Sequence, residues 1–230
     1  MPDRARQIAE NIESVNNRIA GAARRSGRNP KDITLIAVSK TKPIQDIELA
    51  IKAGQVDFGE NYVQELVAKS KALGVGPRLH MIGHLQRNKV KQVLGRAYSI
   101  HTLDSEKLAR ELDRRASWNG ISVKVLIEVN IASEESKHGV DPGNVKKIVE
   151  SVCSLRHLEP MGLMAVPPFL PDEQVRPYFR QLRSLLEEAK KIAGPQFKEL
   201  SMGMSNDFEA AIEEGATMVR VGTAIFGARR

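Results

Sequence analysis

Lys40 stands where an apolar run ends, in the stretch ITLIAVSKTKP at residues 33–43. Lysine is seldom fully buried unless it has a partner or a chemical role. A lysine withdrawn from water beside a second cation, for which Lys42 is a candidate, has a lowered pKa, and its neutral amine can attack a carbonyl carbon. The ordinary alternative is a side chain that reaches solvent. Lys40 is therefore the first candidate for covalent chemistry.

Two loops near the end of the chain contain residues that suit an anion. The stretch GMSND contains the hydroxyl of Ser205, and the stretch VGTAIFG contains Gly222 and Thr223. Backbone N–H groups and hydroxyls of this kind can surround a phosphate. Each glycine could equally serve a tight turn, but the two loops together favour a phosphate site. A lysine nucleophile with a phosphate site indicates a phosphorylated aldehyde, and pyridoxal 5′-phosphate (PLP) is the commonest such cofactor.

The elements that would position these residues alternate regularly along the chain. Strand-like apolar runs occur at residues 33–39, 56–59, 79–83, 98–103, 123–131, 158–166, 198–202 and 218–222, with amphipathic helical segments between them. This alternation predicts parallel strands joined by crossover helices. Eight such units predict an α/β fold, a single (β/α)8 TIM-type barrel in one PLP-binding domain over residues 1–230, with an extra N-terminal helix over residues 3–26. A doubly wound sheet is the competing architecture, but no G-x-G-x-x-G follows the first strand.

Composition limits the class of partner. The 230 residues carry a formal net charge of +7, which favours an anionic partner, but aromatic residues make up only 4%. Nucleic-acid stacking surfaces need aromatic side chains, so the sequence predicts no nucleic-acid partner. It also predicts no membrane association, since no apolar stretch approaches the roughly 18 residues of a span. The single cysteine, Cys153, excludes an intrachain disulfide, favours the cytoplasm and is expected to be buried; no metal site is predicted.

Five stretches together carry a resemblance to a known family. AVSKTKP, FGENYVQE, HMIGHLQRNK, MGLMAV and LSMGMSNDFEAAIEEGATMVRVGTAIFG resemble the pyridoxal phosphate homeostasis protein family, from about residue 5 onward. One departure is Leu79, where the family usually has an aromatic residue. The resemblance implies a barrel like the N-terminal domain of alanine racemase, in which Lys40 holds PLP as a Schiff base.

The resemblance also implies which residues surround the cofactor. Ser205, Gly222 and Thr223 are expected to contact the phosphate, and Arg220 is expected to face the pyridine nitrogen. A guanidinium donates hydrogen bonds and cannot accept them, so that nitrogen would stay unprotonated and the cofactor would be a poor electron sink. Arg220 alternates with Met218 and Gly222, which suits a row of residues facing the barrel interior.

Five further residues in the matching stretches or their loops have expected positions. Asn61 is expected close to the cofactor, and Met204 or the neighbouring Met202 near its ring, although core packing is the ordinary role of a methionine. His84 is expected to make a structural hydrogen bond at the barrel rim. Lys137 could be a second amine at the mouth, and a solvated loop lysine is the alternative.

The function predicted from these residues is binding rather than catalysis. Racemisation needs a base on each face of the α-carbon, and the three tyrosines, Tyr62, Tyr98 and Tyr178, do not suggest the second base. No catalytic residue is therefore predicted. The expectation is a cytoplasmic, monomeric carrier or regulator of PLP and related B6 vitamers that acts in PLP homeostasis and supplies PLP-dependent apoenzymes. The alternatives are a PLP-dependent, racemase-like enzyme acting on an amino acid and, behind it, a basic RNA-binding barrel.

Overall fold

A computed structural model describes residues 2–134 and 137–228. Its strands are β1 (Thr34–Val38), β2 (Asp57–Glu60), β3 (Arg78–Met81), β4 (Ser99–Leu103), β5 (Val123–Glu128), β6 (Leu158–Met164), β7 (Glu199–Ser201) and β8 (Met218–Val221). They form a closed barrel in chain order. All neighbours are parallel, including the closing pair β1–β8, in which Ile36 lies opposite Arg220.

Helices follow the strands on the outside of the barrel. They are α1 (Pro2–Arg25), α2 (Ile44–Lys52), α3 (Val63–Leu73), α4 (Val90–Val93), α5 (Glu106–Asn119), α6 (Val145–Cys153), α7 (Asp172–Ala193), α8 (Phe208–Glu213) and α9 (Thr223–Phe226). The predicted (β/α)8 barrel with an extra N-terminal helix is confirmed. The open-sheet alternative is excluded because β1 pairs with β8.

Two apolar layers hold the barrel together. A small cluster fills part of its interior, formed by Ile36, Leu126, Met164 and Met218. The larger core lies between the outer face of the sheet and the inward faces of the helices. Because both faces of each strand are covered, the strands read as continuous apolar runs, which is why the sequence located all eight.

The N-terminal helix α1 packs against α2, α8 and α9. Arg4 on α1 contacts Asp46 on α2 at 2.5 Å and donates to the carbonyl oxygen of Phe226 at 2.9 Å. Asn11 donates to the carbonyl oxygen of Ile225 at 2.8 Å. The first helix of the chain therefore fixes the last helix, α9, which begins at Thr223.

The expectation of a buried cysteine is wrong. Cys153 is exposed. It is the last residue of α6, whose buried face is formed by Val145, Ile148, Val149 and Val152. One further residue turns about 100° around a helix of 3.6 residues per turn, so the thiol leaves that face. Among the helices of the described residues, none has the length and apolar content that a membrane crossing requires.

Candidate functional site

The predicted site residues lie at one rim of the barrel. Parallel strands in a closed barrel present all their carboxyl ends on the same side. Lys40 lies two residues after β1, and Asn61 follows β2 directly. Ser205 follows β7 in the loop before α8, and Gly222 and Thr223 connect β8 to α9. The rim therefore brings together residues that are up to 183 positions apart in the chain, from Lys40 to Thr223.

The backbone on both sides of Lys40 is held by two charged side chains of α3. Lys69 on α3 donates from Nζ to the carbonyl oxygen of Ser39 at 2.7 Å. The N–H of Thr41 donates to Glu65 Oε2 at 2.7 Å, and Thr41 has a left-handed backbone with φ of 62°. A non-glycine residue rarely adopts that conformation, so surrounding bonds must enforce it. Lys40 itself is half-buried.

Glu60, the last residue of β2, completes this cluster. Its Oε1 accepts from Ser39 Oγ at 2.5 Å and from Lys69 Nζ at 2.8 Å, and Lys69 also contacts Glu65 at 2.8 Å. The other oxygen, Glu60 Oε2, has no hydrogen-bond partner among the described residues. Burial raises the pKa of Glu60, although Lys69 and Ser39 act in the opposite direction.

Lys42 points away from this cluster. Its Nζ lies 3.0 Å from the carbonyl oxygen of Gly227 and 3.1 Å from that of Ala228, and thus beyond the end of α9. Cations are stabilised beside such carbonyl groups. The ammonium of Lys42 therefore stabilises the end of α9, and Lys69 is the cation that contacts the backbone beside Lys40.

The two loops predicted to hold an anion touch each other. The N–H of Gly222 donates to Ser205 Oγ at 3.3 Å. The loop after β7 is shaped by Gly203, whose φ of +90° favours glycine and whose added Cβ would lie 2.6 Å from the Cβ of Ala211. Asp207 then accepts from the N–H of Met204 at 2.6 Å. Ser205 is thus presented by a constrained backbone.

Arg220 lies inside the barrel and is 5% exposed. It donates from Nη1 to Ser201 Oγ at 2.7 Å and from Nη2 to the carbonyl oxygen of Ala165 at 2.9 Å. Burial lowers the pKa of Arg220 to about 10, and Asp207 and Glu128 oppose that effect. The guanidinium is therefore still a cation at neutral pH. The predicted inward row of Met218 and Arg220 is present in β8.

A chain of buried hydrogen bonds leads from Arg220 through the barrel. Ser201 Oγ lies 3.0 Å from His101 Nδ1, and His101 Nε2 lies 2.9 Å from Ser99 Oγ. Ser99 Oγ lies 2.7 Å from His80 Nδ1. Burial, His80 and Arg220 lower the pKa of His101 well below its usual range, so its imidazole is neutral.

This series of hydrogen bonds ends at the carboxylate of Asp57. His80 Nε2 lies 2.8 Å from Asp57 Oδ1, and Arg78 donates to Asp57 Oδ2 at 2.5 Å. Burial raises the pKa of Asp57, but its bonds to His80 and Arg78 outweigh that effect and lower it. Sequence reasoning missed these residues. The available signal was polar side chains, chiefly His80 and His101, within apolar strands, since buried polar groups need partners.

Glu128, the last residue of β5, is a half-buried carboxyl group that interacts electrostatically with Arg220. Its Oε2 has no hydrogen-bond partner among the described residues. Burial raises the pKa of Glu128 to about 7; Asp104 contributes to the increase and Arg220 opposes it. The interior below the rim thus contains a fixed cation and a carboxyl group that is partly protonated at neutral pH.

Comparison with known proteins identifies the family. The sequence profile of "Alanine racemase, N-terminal domain" matches residues 5–230. The chain is 45% identical to the pyridoxal phosphate homeostasis protein of Aquifex aeolicus over 223 residues, 96% of this chain and 98% of the relative. The corresponding Escherichia coli K12 protein is 44% identical over 231 residues, 96% and 97% of the two chains. The chain belongs to the pyridoxal phosphate homeostasis protein family.

A solved structure supports the same assignment. PipY of Synechococcus elongatus PCC7942, determined with PLP bound, superposes with a TM-score of 0.84 at 36% identity. The match covers 96% of this chain and 100% of PipY. The resemblance to the pyridoxal phosphate homeostasis protein family inferred from the five sequence stretches is confirmed, and so is the barrel fold that it implied.

The remaining residues singled out from the sequence lie partly at the rim and partly elsewhere in the barrel. Gly83 after β3 packs so closely on Asn61 that an added Cβ would lie 2.2 Å from the carbonyl oxygen of Asn61. Met202 is fully buried in the core, and Met204 is half-buried in the loop. Lys137 is paired with Glu134 at 2.7 Å rather than solvated alone.

His84 lies in the loop after β3, at the rim. Its Nδ1 lies 3.2 Å from Asp104 Oδ2. The tyrosines differ in position: Tyr62 follows Asn61 at the rim and is 52% exposed, whereas Tyr98 precedes β4 at the opposite end of the barrel. Tyr178 lies in α7.

Proposed function

We propose that the chain binds PLP and takes part in intracellular PLP (vitamin B6) homeostasis. The observation that carries the proposal is that one barrel rim combines an amine, two touching loops and a buried cation. These features match the aldehyde, the phosphate and the pyridine nitrogen of PLP. The PLP-bound structure of PipY, 36% identical over its whole length, supports the assignment.

When bound, PLP supplies an aldehyde that a primary amine can attack with loss of water. Lys40 provides that amine and holds the cofactor as a Schiff base. The bonds from Lys69 to Ser39 and from Thr41 to Glu65 hold the backbone on either side of Lys40, so the amine is directed before the cofactor arrives. Because the site is already ordered, less conformational entropy is lost when the cofactor binds.

Ser205, Gly222 and Thr223 bind the phosphate in this proposal. The hydrogen bond from Gly222 N–H to Ser205 Oγ is long, at 3.3 Å. A charged phosphate oxygen is a stronger acceptor than a hydroxyl, so the Gly222 N–H can turn to it at little cost. Asn61 and Met204 line the cofactor from the loops after β2 and β7.

Arg220 faces the pyridine nitrogen and keeps it unprotonated. A guanidinium has donors only, and this one is fixed by Ser201 and Ala165. The imidazole of His101 beyond Ser201 is neutral, so it adds no positive charge to that of Arg220. An unprotonated ring withdraws electrons weakly, so the site holds PLP well and activates it poorly. This favours a carrier or regulator over an enzyme.

A racemase-like enzyme acting on an amino acid is the second candidate. The observation that favours it is Tyr62, an exposed phenol at the rim next to Asn61. The two candidates differ in exchange of the α-proton. Rapid and saturable exchange of that proton from several amino acids, lost in Tyr62→Phe, would favour the enzyme. Exchange no faster than with free PLP would favour the carrier.

The test of the cofactor and the lysine together is reduction with borohydride followed by mass mapping. PLP-loaded wild-type protein should gain one reduced pyridoxyl group on the peptide that contains Lys40. Lys40→Ala should lose it, whereas Lys137→Ala, which removes the other amine considered at the mouth, should keep it. A protein that takes up no PLP would refute the binding proposal. Labelling of Lys137 in the wild type would refute the assignment to Lys40.

The carrier role makes PLP-dependent apoenzymes the partners of a cytoplasmic monomer. PLP-loaded protein should restore activity to an apoenzyme when free PLP is kept scarce by a phosphatase that destroys it. The borohydride-reduced protein is the matched control, because its cofactor can no longer leave. Equal recovery with both forms would contradict delivery.

A further inference from the structure

We propose that His84, Asp104 and His138 form a binding site for a divalent transition-metal ion, with Zn²⁺ the preferred ion. One ligand atom from each of the three residues lies within 4.8 Å of the other two. The site lies beside the rim, in the loops that follow β3, β4 and β5. It is distinct from the residues assigned above to PLP, and it goes beyond the proposed function.

One pair of ligand atoms already has the spacing that a tetrahedral ion requires. Zn²⁺ binds imidazole nitrogen and carboxylate oxygen at about 2.0–2.2 Å, which places two ligand atoms of one ion about 3.4 Å apart. His84 Nδ1 and Asp104 Oδ2 are 3.2 Å apart. The rings of His84 and His138 are stacked, with centroids 3.9 Å apart and an angle of 11° between the planes. An ion lies in the plane of each imidazole that ligates it, so one of the two rings must turn out of this stack when the ion binds.

The backbone beneath each ligand is fixed. Thr102 on β4 donates to the carbonyl oxygen of Gly83 at 2.8 Å, which ties the loop of His84 to the strand that leads to Asp104. Ser105 donates to Asp104 Oδ1 at 3.0 Å and leaves Oδ2 directed at His84. Partners of this kind orient metal ligands and sustain affinity.

The loop that bears His138 is anchored to the end of β5. Val140 N–H donates to the carbonyl oxygen of Glu128 at 2.7 Å, and Asn130 N–H donates to that of Val140 at 3.0 Å. Gly139 has a φ of +117°, and an added Cβ would lie 2.6 Å from the nitrogen of Asn130. A glycine is therefore required at position 139, between His138 and the anchored Val140. The imidazole of His138 thus extends from a defined backbone position.

The three side chains face a cleft of about 540 Å³. Both histidines are exposed to it and Asp104 is half-buried, so an ion can enter from solvent. Arg87, Lys107 and Lys137 also line the cleft. Lys137 is paired with Glu134, and solvent screens the exposed Arg87 and Lys107, so these charges do not exclude a cation. With three protein ligands, a fourth position stays open, and the surrounding cations favour an anionic ligand there.

Metal titration of the tag-free full-length chain tests the proposal. After treatment with a chelator and dialysis, wild-type protein should bind one Co²⁺ with the intense visible absorption of a tetrahedral site, and Zn²⁺ should displace it. His138→Ala and Asp104→Asn should each weaken binding by at least about 10-fold, since even removal of an outer-shell partner costs that much. His157→Ala, which removes a histidine outside the cluster, should bind as the wild type does.

The outcomes separate this site from the PLP site. Lys40→Ala should retain metal binding, which shows that the ion is not held by bound PLP. Because both histidines are exposed, the variants are expected to keep the wild-type melting temperature, which confirms that they fold. A wild-type chain that binds no Co²⁺ or Zn²⁺, or His138→Ala with wild-type affinity, would overturn the proposal and leave the assignment of Lys40 unaffected.

Discussion

Replacing Lys69 by methionine should destabilise the protein and misplace Lys40. The Lys69 side chain is 5% exposed and Glu60, its partner at 2.8 Å, is 0% exposed. Methionine fills a similar volume but leaves the carboxylate of Glu60 buried without its cation. Breaking a buried ion pair by removing one partner costs about 3–5 kcal/mol. For a chain of this size, about 4 kcal/mol corresponds to a loss of roughly 8–16 °C in melting temperature.

The loss should grow with pH. Burial raises the pKa of Glu60 in the folded protein, and removal of Lys69 raises it further. A carboxyl group with a raised folded-state pKa stabilises the fold fully below its unfolded-state pKa, and this contribution is lost as the pH rises through the folded-state pKa. Lys69→Met should therefore be closer to the wild type at pH 5 than at pH 8.

Thermal and urea unfolding at both pH values provide the assay, with borohydride labelling of Lys40 as the functional measurement. Lys71→Met makes the same substitution at an exposed position of α3 and should change neither quantity. Glu60→Gln added to Lys69→Met removes the buried charge and should recover part of the stability. A melting temperature of Lys69→Met equal to that of the wild type at pH 8 would refute the reasoning, as would no recovery in the double variant.

Three further substitutions have defined expectations. Glu128→Gln should stabilise the cofactor-free protein at pH 8 by up to about 3 kcal/mol. Folding raises the pKa of the Glu128 carboxyl group from 4.5 to about 7, so its ionisation opposes folding as the pH increases through that interval, and urea unfolding between pH 4.5 and 8 measures the effect. Gly83→Ala should cost about 1–3 kcal/mol and weaken PLP binding by displacing Asn61, whereas Gly21→Ala within α1 should not destabilise. Ser201→Ala should cost about 1–3 kcal/mol in urea unfolding, since it leaves the Nη1 donor of buried Arg220 without that partner; unchanged stability would contradict the network.

The barrel and its rim were predictable because they depend on local patterns. Each strand is an apolar run of the right length, and the residues that follow a strand in a closed parallel barrel must lie at one rim. Lys40, Ser205 and Gly222 could therefore be placed together from their positions after strands. No side-chain geometry was needed for that step.

The networks around the site were not predictable, because they depend on how separate elements meet. Lys69 reads as an ordinary helix lysine, and only the packing of α3 on β2 directs it to Glu60. His101 and Ser201 are 100 positions apart and meet through the strand register inside the barrel. The orientation of Cys153 depends on which face of α6 is buried. The last buried residue of that face is Val152, one position before Cys153.

The pairing of β1 with β8 has a consequence for biosynthesis. During synthesis, β1 lacks its second neighbour until residues 218–221 have left the ribosome. In the same way, α1 lacks the residues of α9 that it contacts. Contacts between such distant segments form late in folding. Lys40 is synthesised early, and Gly222 and Thr223 join the same rim only when β8 pairs with β1. If these residues hold PLP as proposed, copies in which β8 has not yet paired with β1 do not draw on the vitamin pool.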